Sequence, residues 1–181
     1  MARLFFALWP DSAVRAALLR QAAAAAAVAA TPVRIAREEN LHLTLAFLGT
    51  VPSPRLQAVL AAAGSVRAAP FGFTLDRLEC WKKPALLAAT PSGAAPQLAA
   101  LVTQLQGALR ARDVPADERP WRPHVTLCRK ASVRDLPATM AEAVDWEARQ
   151  FVLAESADDT GRSVYRIISR WDLQAAPAAS R

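Results

Sequence analysis

The chain has 181 residues, is 53% hydrophobic and 21% charged, and carries a net charge of +6, so it suits one domain or two small lobes sharing an interface. Its basic residues are almost all arginine, which suits two-point contacts with phosphate without naming a partner. Two widely spaced cysteines, Cys80 and Cys128, make neither a disulfide framework nor a zinc pattern, so a reduced, cytoplasmic protein is expected.

In chain order, Arg3 to Trp9 reads as a strand, ended by Pro10. Its apolar run is too short to cross a membrane, so no membrane association is expected. Asp11 or Ser12 caps a helix running to about Ala29, with Val14, Leu18 and Leu19 on one face. Val33 to Ile35 is a short strand, and Leu41 to Leu48 a longer one stopped by Gly49. Ser53-Pro54 opens a helix to about Ser65. Phe71 to Leu78 alternates as a half-buried strand does, and Trp81-Lys82-Lys83-Pro84 is a basic connection whose tryptophan and lysines could touch substrate.

The order then repeats. Ala85 to Ala89 is a strand, and Pro96 to Arg112 a helix burying Leu98, Leu101, Val102, Leu105 and Leu109. A polar, proline-punctuated loop runs to Arg122, and His124 to Arg129 is a strand. Val133 to Val144 reads as a short helix interrupted at Pro137. Glu147 to Ser156 and Ser163 to Leu173 form a hairpin around Asp158-Asp159-Thr160-Gly161. The expected fold is α+β and bilobal: two pseudo-two-fold-related lobes, mainly antiparallel sheets flanking a central cleft, helices outside. We expect a single domain over 1–181 with two interleaved lobes, approximate halves 1–84 and 85–173, and a tail at 174–181.

The two strands at the centre of each half carry one pattern: His42-Leu43-Thr44-Leu45 and His124-Val125-Thr126-Leu127. They hold the only two histidines in the chain. Strand alternation puts each imidazole and its threonine hydroxyl on one face and the aliphatic residues on the other. Two such strands facing each other would set two imidazoles and two hydroxyls around one cleft. With an ordinary pKa near 6.5, one histidine can take a proton from water while the other gives one to a leaving oxygen. Hydrolysis of a phosphodiester needs both roles, and donors for the phosphoryl oxygens besides.

Arg129 adds a permanent positive charge, yet regular alternation turns it away from His124; it reaches a phosphate only if the strand ends or bulges near Cys128. Three rivals remain open. Zinc could be held by His42, His124, Cys80 and Cys128, although the threonines would then be idle. Alternation puts Cys128 on the His124 face as a thiol nucleophile. Asp158 and Asp159 could hold magnesium, although they read better as a turn. No phosphate loop occurs, so ATP use is not expected.

These residues resemble the two-histidine phosphoesterase superfamily, and within it the RNA 2′,3′-cyclic phosphodiesterases, or 2′-5′ RNA ligases. The likeness runs through Arg3 to Leu8, Asn40 to Gly49, Pro123 to Arg129 and a C-terminal pattern with Ser156, Gly161, Tyr165 and Trp171. It implies metal-free opening of a 2′,3′-cyclic phosphate to a 2′-phosphomonoester, with RNA ends or cyclic nucleotides as partners; no cofactor is expected, and a monomer is the expected working unit. By the same likeness His42 is the general acid, His124 activates water, and Thr44, Thr126 and Arg129 bind the phosphate. The chain departs from the family pattern around Trp81 to Pro84. Ligation in the reverse direction, and a module that only binds RNA ends or nucleotides, are the alternatives.

Overall fold

The computed structural model describes residues 2–29, 32–117, 119–129, 139–159 and 162–174. Strand β1 is Ala2–Leu8, helix α1 Ser12–Ala27 and the short strand β2 Arg34–Ile35. Strand β3 is Leu43–Val51, helix α2 Leu56–Gly64, and β4 and β5 are Phe71–Lys82 and Ala85–Thr90. Helix α3 is Pro96–Arg110 and β6 is Val125–Arg129. Strands β7, β8 and β9 are Thr139–Ala148, Gln150–Asp159 and Arg162–Asp172.

The strands form one open antiparallel sheet in the order β7-β4-β5-β6-β3-β1-β8-β9, with β2 beside β6. Each half is built on the same unit: β1-α1-β3 in one, β5-α3-β6 in the other. The motif strands β3 and β6 are neighbours at the middle, paired at Leu43↔Val125. Farther along, β2 takes the place of β3 beside β6, through Ile35↔Cys128 and Arg34↔Arg129. The halves interleave along the chain, since β4 lies with β5 and β7 while β8 and β9 lie beyond β1.

The helices cover the sheet face opposite the histidines. Asp11 caps α1 by accepting from the Val14 backbone N–H at 2.8 Å, and Leu18, Ala22 and Ala25 go into the core. Helix α1 packs on β6 and β7; α3 packs on β3 and β4, with α2 against α3. Helix α3 buries Leu98, Leu101, Val102, Leu105 and Leu109, the expected stripe. Each such side chain contributes roughly 1.5–3 kcal/mol. That holds the helix on the sheet where propensity alone would leave fifteen residues marginal. Leu43, Leu45, Val125 and Leu127 meet the helices in one continuous core. No helix among the described residues is long and apolar enough to cross a membrane.

Four expectations change. Thr139 to Val144 is strand, not helix; residues 133–138 lie outside the described residues. Met140, Ala141, Glu142 and Ala143 are good helix formers, but pairing with β4, through Leu75↔Val144 and Phe73↔Trp146, buries Val144, Trp146 and Ala148 at every second position. Gly49 does not stop β3: with φ at 66° it sits at a bulge opposite Leu4, and the strand runs on to Val51. Strand β4 extends to Lys82, pairing with Ala85, so Trp81 lies in the sheet and not in a connection. The stretch from Glu147 to Ser156 is divided between β7 and β8, which are separate strands. The C-terminal hairpin pairs through Asp159↔Arg162, its turn residues 160 and 161 lying outside the described residues. Gln174 bridges to Ala68, and residues 175–181 also lie outside.

Candidate active site

Continuing the Leu43↔Val125 register by one residue sets His42 across from Thr126 and Thr44 across from His124. The two motifs thus lie side by side in one sheet, antiparallel, with both rings and both threonines on the face away from the helices. Each histidine is the residue just before its strand. Each makes the same bond: His42 Nδ1 donates to the Asn40 carbonyl at 2.7 Å and His124 Nδ1 to the Arg122 carbonyl at 2.8 Å. A carbonyl only accepts, so Nδ1 holds its proton whatever the ring's charge. Nε2 is left to gain or lose one, and it makes no hydrogen bond among the described residues.

The position of Arg129 turns on one extra residue. Thr126 pairs with Ala88, but Cys128 pairs with Leu87 and Arg129 with Leu86, so β6 carries a bulge at Leu127. Leu127 and Cys128 both go into the core, and alternation restarts with Arg129 on the Thr126 face. The Arg129 charge is felt at both rings, lowering the pKa of each.

The same bulge removes two rivals. Cys128 lies in the core with its thiol toward the Ala22 carbonyl at 3.9 Å, and burial pushes its pKa up to about 11. It is therefore no nucleophile on the His124 face. Nor do His42, His124, Cys80 and Cys128 converge, and no cluster of metal-ligating side chains exists among the described residues. The side chains of Asp158 and Asp159 lie outside what the structure describes.

The two rings sit in unlike surroundings. His42 is walled by aromatic groups: Trp9 stacks on it at 5.5 Å and 14°, Phe5 lies at 4.9 Å, and Tyr165 meets it edge-on at 5.0 Å. Desolvation there lowers its pKa to about 4; the Asn40 carbonyl works against this, and charge on His124 and Arg129 adds to it. Burial also lowers the pKa of His124. Polar groups then oppose one another: the Arg122 carbonyl and the Glu79 carboxylate raise it, and the guanidinium groups of Arg122 and Arg129 lower it.

Sequence reasoning passed over four residues that shape the site. Trp121 donates from Nε1 to the Thr44 carbonyl at 2.9 Å, and the Asp117 backbone N–H donates to the Phe47 carbonyl at 2.8 Å. These bonds stitch the loop that carries His124 to the strand that follows His42. Glu79 and Arg122 pair at 2.6 Å beside His124. Tryptophan and proline clustered just before the second motif were the one available signal for the stitching; nothing local marks Glu79.

Residues 8–86 match the model of the family described as LigT like Phosphoesterase. An RNA 2′,3′-cyclic phosphodiesterase of Escherichia coli is 30% identical over 178 residues, covering 94% of this chain and 96% of that protein. A Thermus thermophilus protein of the same name is 26% identical, over 95% of this chain and 90% of that protein. The crystal structure of E. coli LigT complexed with 3′-AMP superposes with a TM-score of 0.84 at 28% identity, covering 95% of this chain and 98% of that one. Likeness of this extent, in sequence and in fold, means that the chain belongs to the LigT-like phosphoesterase family.

Proposed function

We propose that this protein is an RNA 2′,3′-cyclic phosphodiesterase that opens the ring to a 2′-phosphomonoester with two histidines and no metal. The observation that carries this reading is the matched setting of the rings on adjacent strands: each Nδ1 is tied to the carbonyl two residues back, and neither Nε2 makes a hydrogen bond among the described residues. Binding an anion needs cations; it does not need two oriented imidazoles. The relatives' names and the LigT complex with 3′-AMP support a nucleotide in this cleft.

In the reaction, His124 Nε2 takes a proton from water as its oxygen bonds to phosphorus. The bond from phosphorus to the 3′ oxygen breaks, and that oxygen takes the proton of His42 Nε2. Thr44 and Thr126 donate hydroxyl hydrogens, and Arg129 its guanidinium, to the phosphoryl oxygens. Burial lowers the pKa of both rings in the ligand-free protein, that of His42 to about 4, and a general acid must hold a proton. The incoming phosphodiester carries a negative charge that raises the pKa of both rings.

We also read residues 1–181 as one domain of two interleaved lobes, because a single core runs beneath both halves of the sheet. The groups used above all come from one chain, so a monomer suffices, and free Cys80 and Cys128 suit the cytoplasm.

The test is product identity. A 2′,3′-cyclic mononucleotide and an oligonucleotide with a cyclic end should both give the 2′-phosphate, resolved from the 3′ isomer by ³¹P NMR. A 3′-phosphate product, or no turnover of either substrate, overturns the reading.

A further inference from the structure

We propose that Glu79 is a positioning residue for the reaction: its carboxylate fixes Trp81 and Arg122, and these two fix the ring of His124. The inference rests on the reading of His124 as a proton-transfer group. Glu79 lies on β4, two strands from His124. The register Thr126↔Ala88↔Glu79 sets it on the same sheet face as the threonine of the second motif. Three donors converge on its carboxylate. Thr90 Oγ1 donates to Oε1 at 3.3 Å, and Trp81 Nε1 and Arg122 Nη2 donate to Oε2 at 3.0 and 2.6 Å.

Two of these three donors touch His124. The Trp81 ring lies 4.5 Å from the imidazole, and Arg122 supplies the carbonyl that accepts from Nδ1. The Arg122 guanidinium lies over Trp81 at 4.6 Å, closing the ring of contacts. A solvent-facing ion pair contributes little to stability, since the Arg122 side chain is 60% exposed. What the pair does is hold the Trp81 ring and the Arg122 main chain in the orientations His124 meets. Around His42, among the described residues, the neighbours are aromatic rings instead: Phe5, Trp9 and Tyr165. Among the described residues, the charged groups acting on His124 are Glu79 from β4, Arg122 from its own loop and Arg129 from the end of β6, and His124 in turn acts on His42 across the strand pair.

The test uses Glu79→Gln and Arg122→Gln in the full chain. The chain has only two histidines, so NMR titration of the imidazoles reads each ring separately. Glu79→Gln removes a charge that favours protonated His124, so that ring should titrate at lower pH; Arg122→Gln should move it the other way. His42 should hold its position in both. With a 2′,3′-cyclic mononucleotide, Glu79→Gln should lower kcat by about 10–100-fold through misplacement of the ring, with KM nearly unchanged. The thermal midpoint should stay close to that of the wild type. An unmoved His124 titration overturns the proposal, whether kcat stays the same or falls together with the thermal midpoint. The titrations need no substrate. Opposite shifts in the two variants, with a wild type that opens no cyclic phosphate, would uphold the coupling and count against the functional reading alone.

Discussion

Alanine at His42 or at His124 should slow turnover of a 2′,3′-cyclic nucleotide by about 10²–10⁴-fold, the worth of one positioned proton transfer. Changing both should cost far less than the product of the two losses, because the rings act as a unit. A substrate whose leaving group needs no proton separates the roles. If His42 is the acid, its alanine variant recovers with that substrate and His124→Ala stays slow. Recovery of His124→Ala alone would assign the acid to His124. Equal slowness of both variants would remove the division of labour. The wild-type rate should be bell-shaped in pH. Because the substrate's negative charge raises both pKa values, the kcat optimum should lie at higher pH than that of kcat/KM, which reports the free enzyme.

Arg129→Ala should weaken both substrate and 2′-phosphate product by about one to two orders of magnitude, the loss of a charge-assisted contact of about 1.5–3 kcal/mol. Turnover should fall as well, since the same contact meets the charge that develops on the phosphoryl oxygens. The guanidinium lowers the pKa of both histidines, so its removal should move both limbs of the kcat/KM profile to higher pH. Kinetic constants and a pH profile unchanged from wild type would take Arg129 out of the site, even though the bulge at Leu127 turns it toward the threonine face.

That bulge marks the boundary of what the sequence could tell. Wherever period and burial coincide, the reading came close: α3 shows its five buried residues at helical spacing, Asp11 caps α1, and the two motifs share one pattern of alternation. Strict alternation misplaces Cys128 and Arg129, because an extra residue in β6 appears only when Leu87 and Ala88 choose their partners. The pairing with β4 likewise decides β7, over a local preference for helix. The family likeness named both histidines, but not their unlike surroundings. Phe5 on β1 and Trp9 just after it meet Tyr165 of β9 around His42, and Glu79 comes to Arg122 across the sheet.

Metal dependence separates catalysis by two imidazoles, as proposed, from catalysis by a bound ion. The most direct measurement is the turnover of a 2′,3′-cyclic nucleotide by metal-stripped protein in excess EDTA, beside the variant lacking both histidines. The wild-type rate should be unchanged and should not respond to added divalent ions, and the double variant should stay slow with such ions present. Activity lost in the chelator and recovered with a divalent ion would contradict catalysis by the two imidazoles.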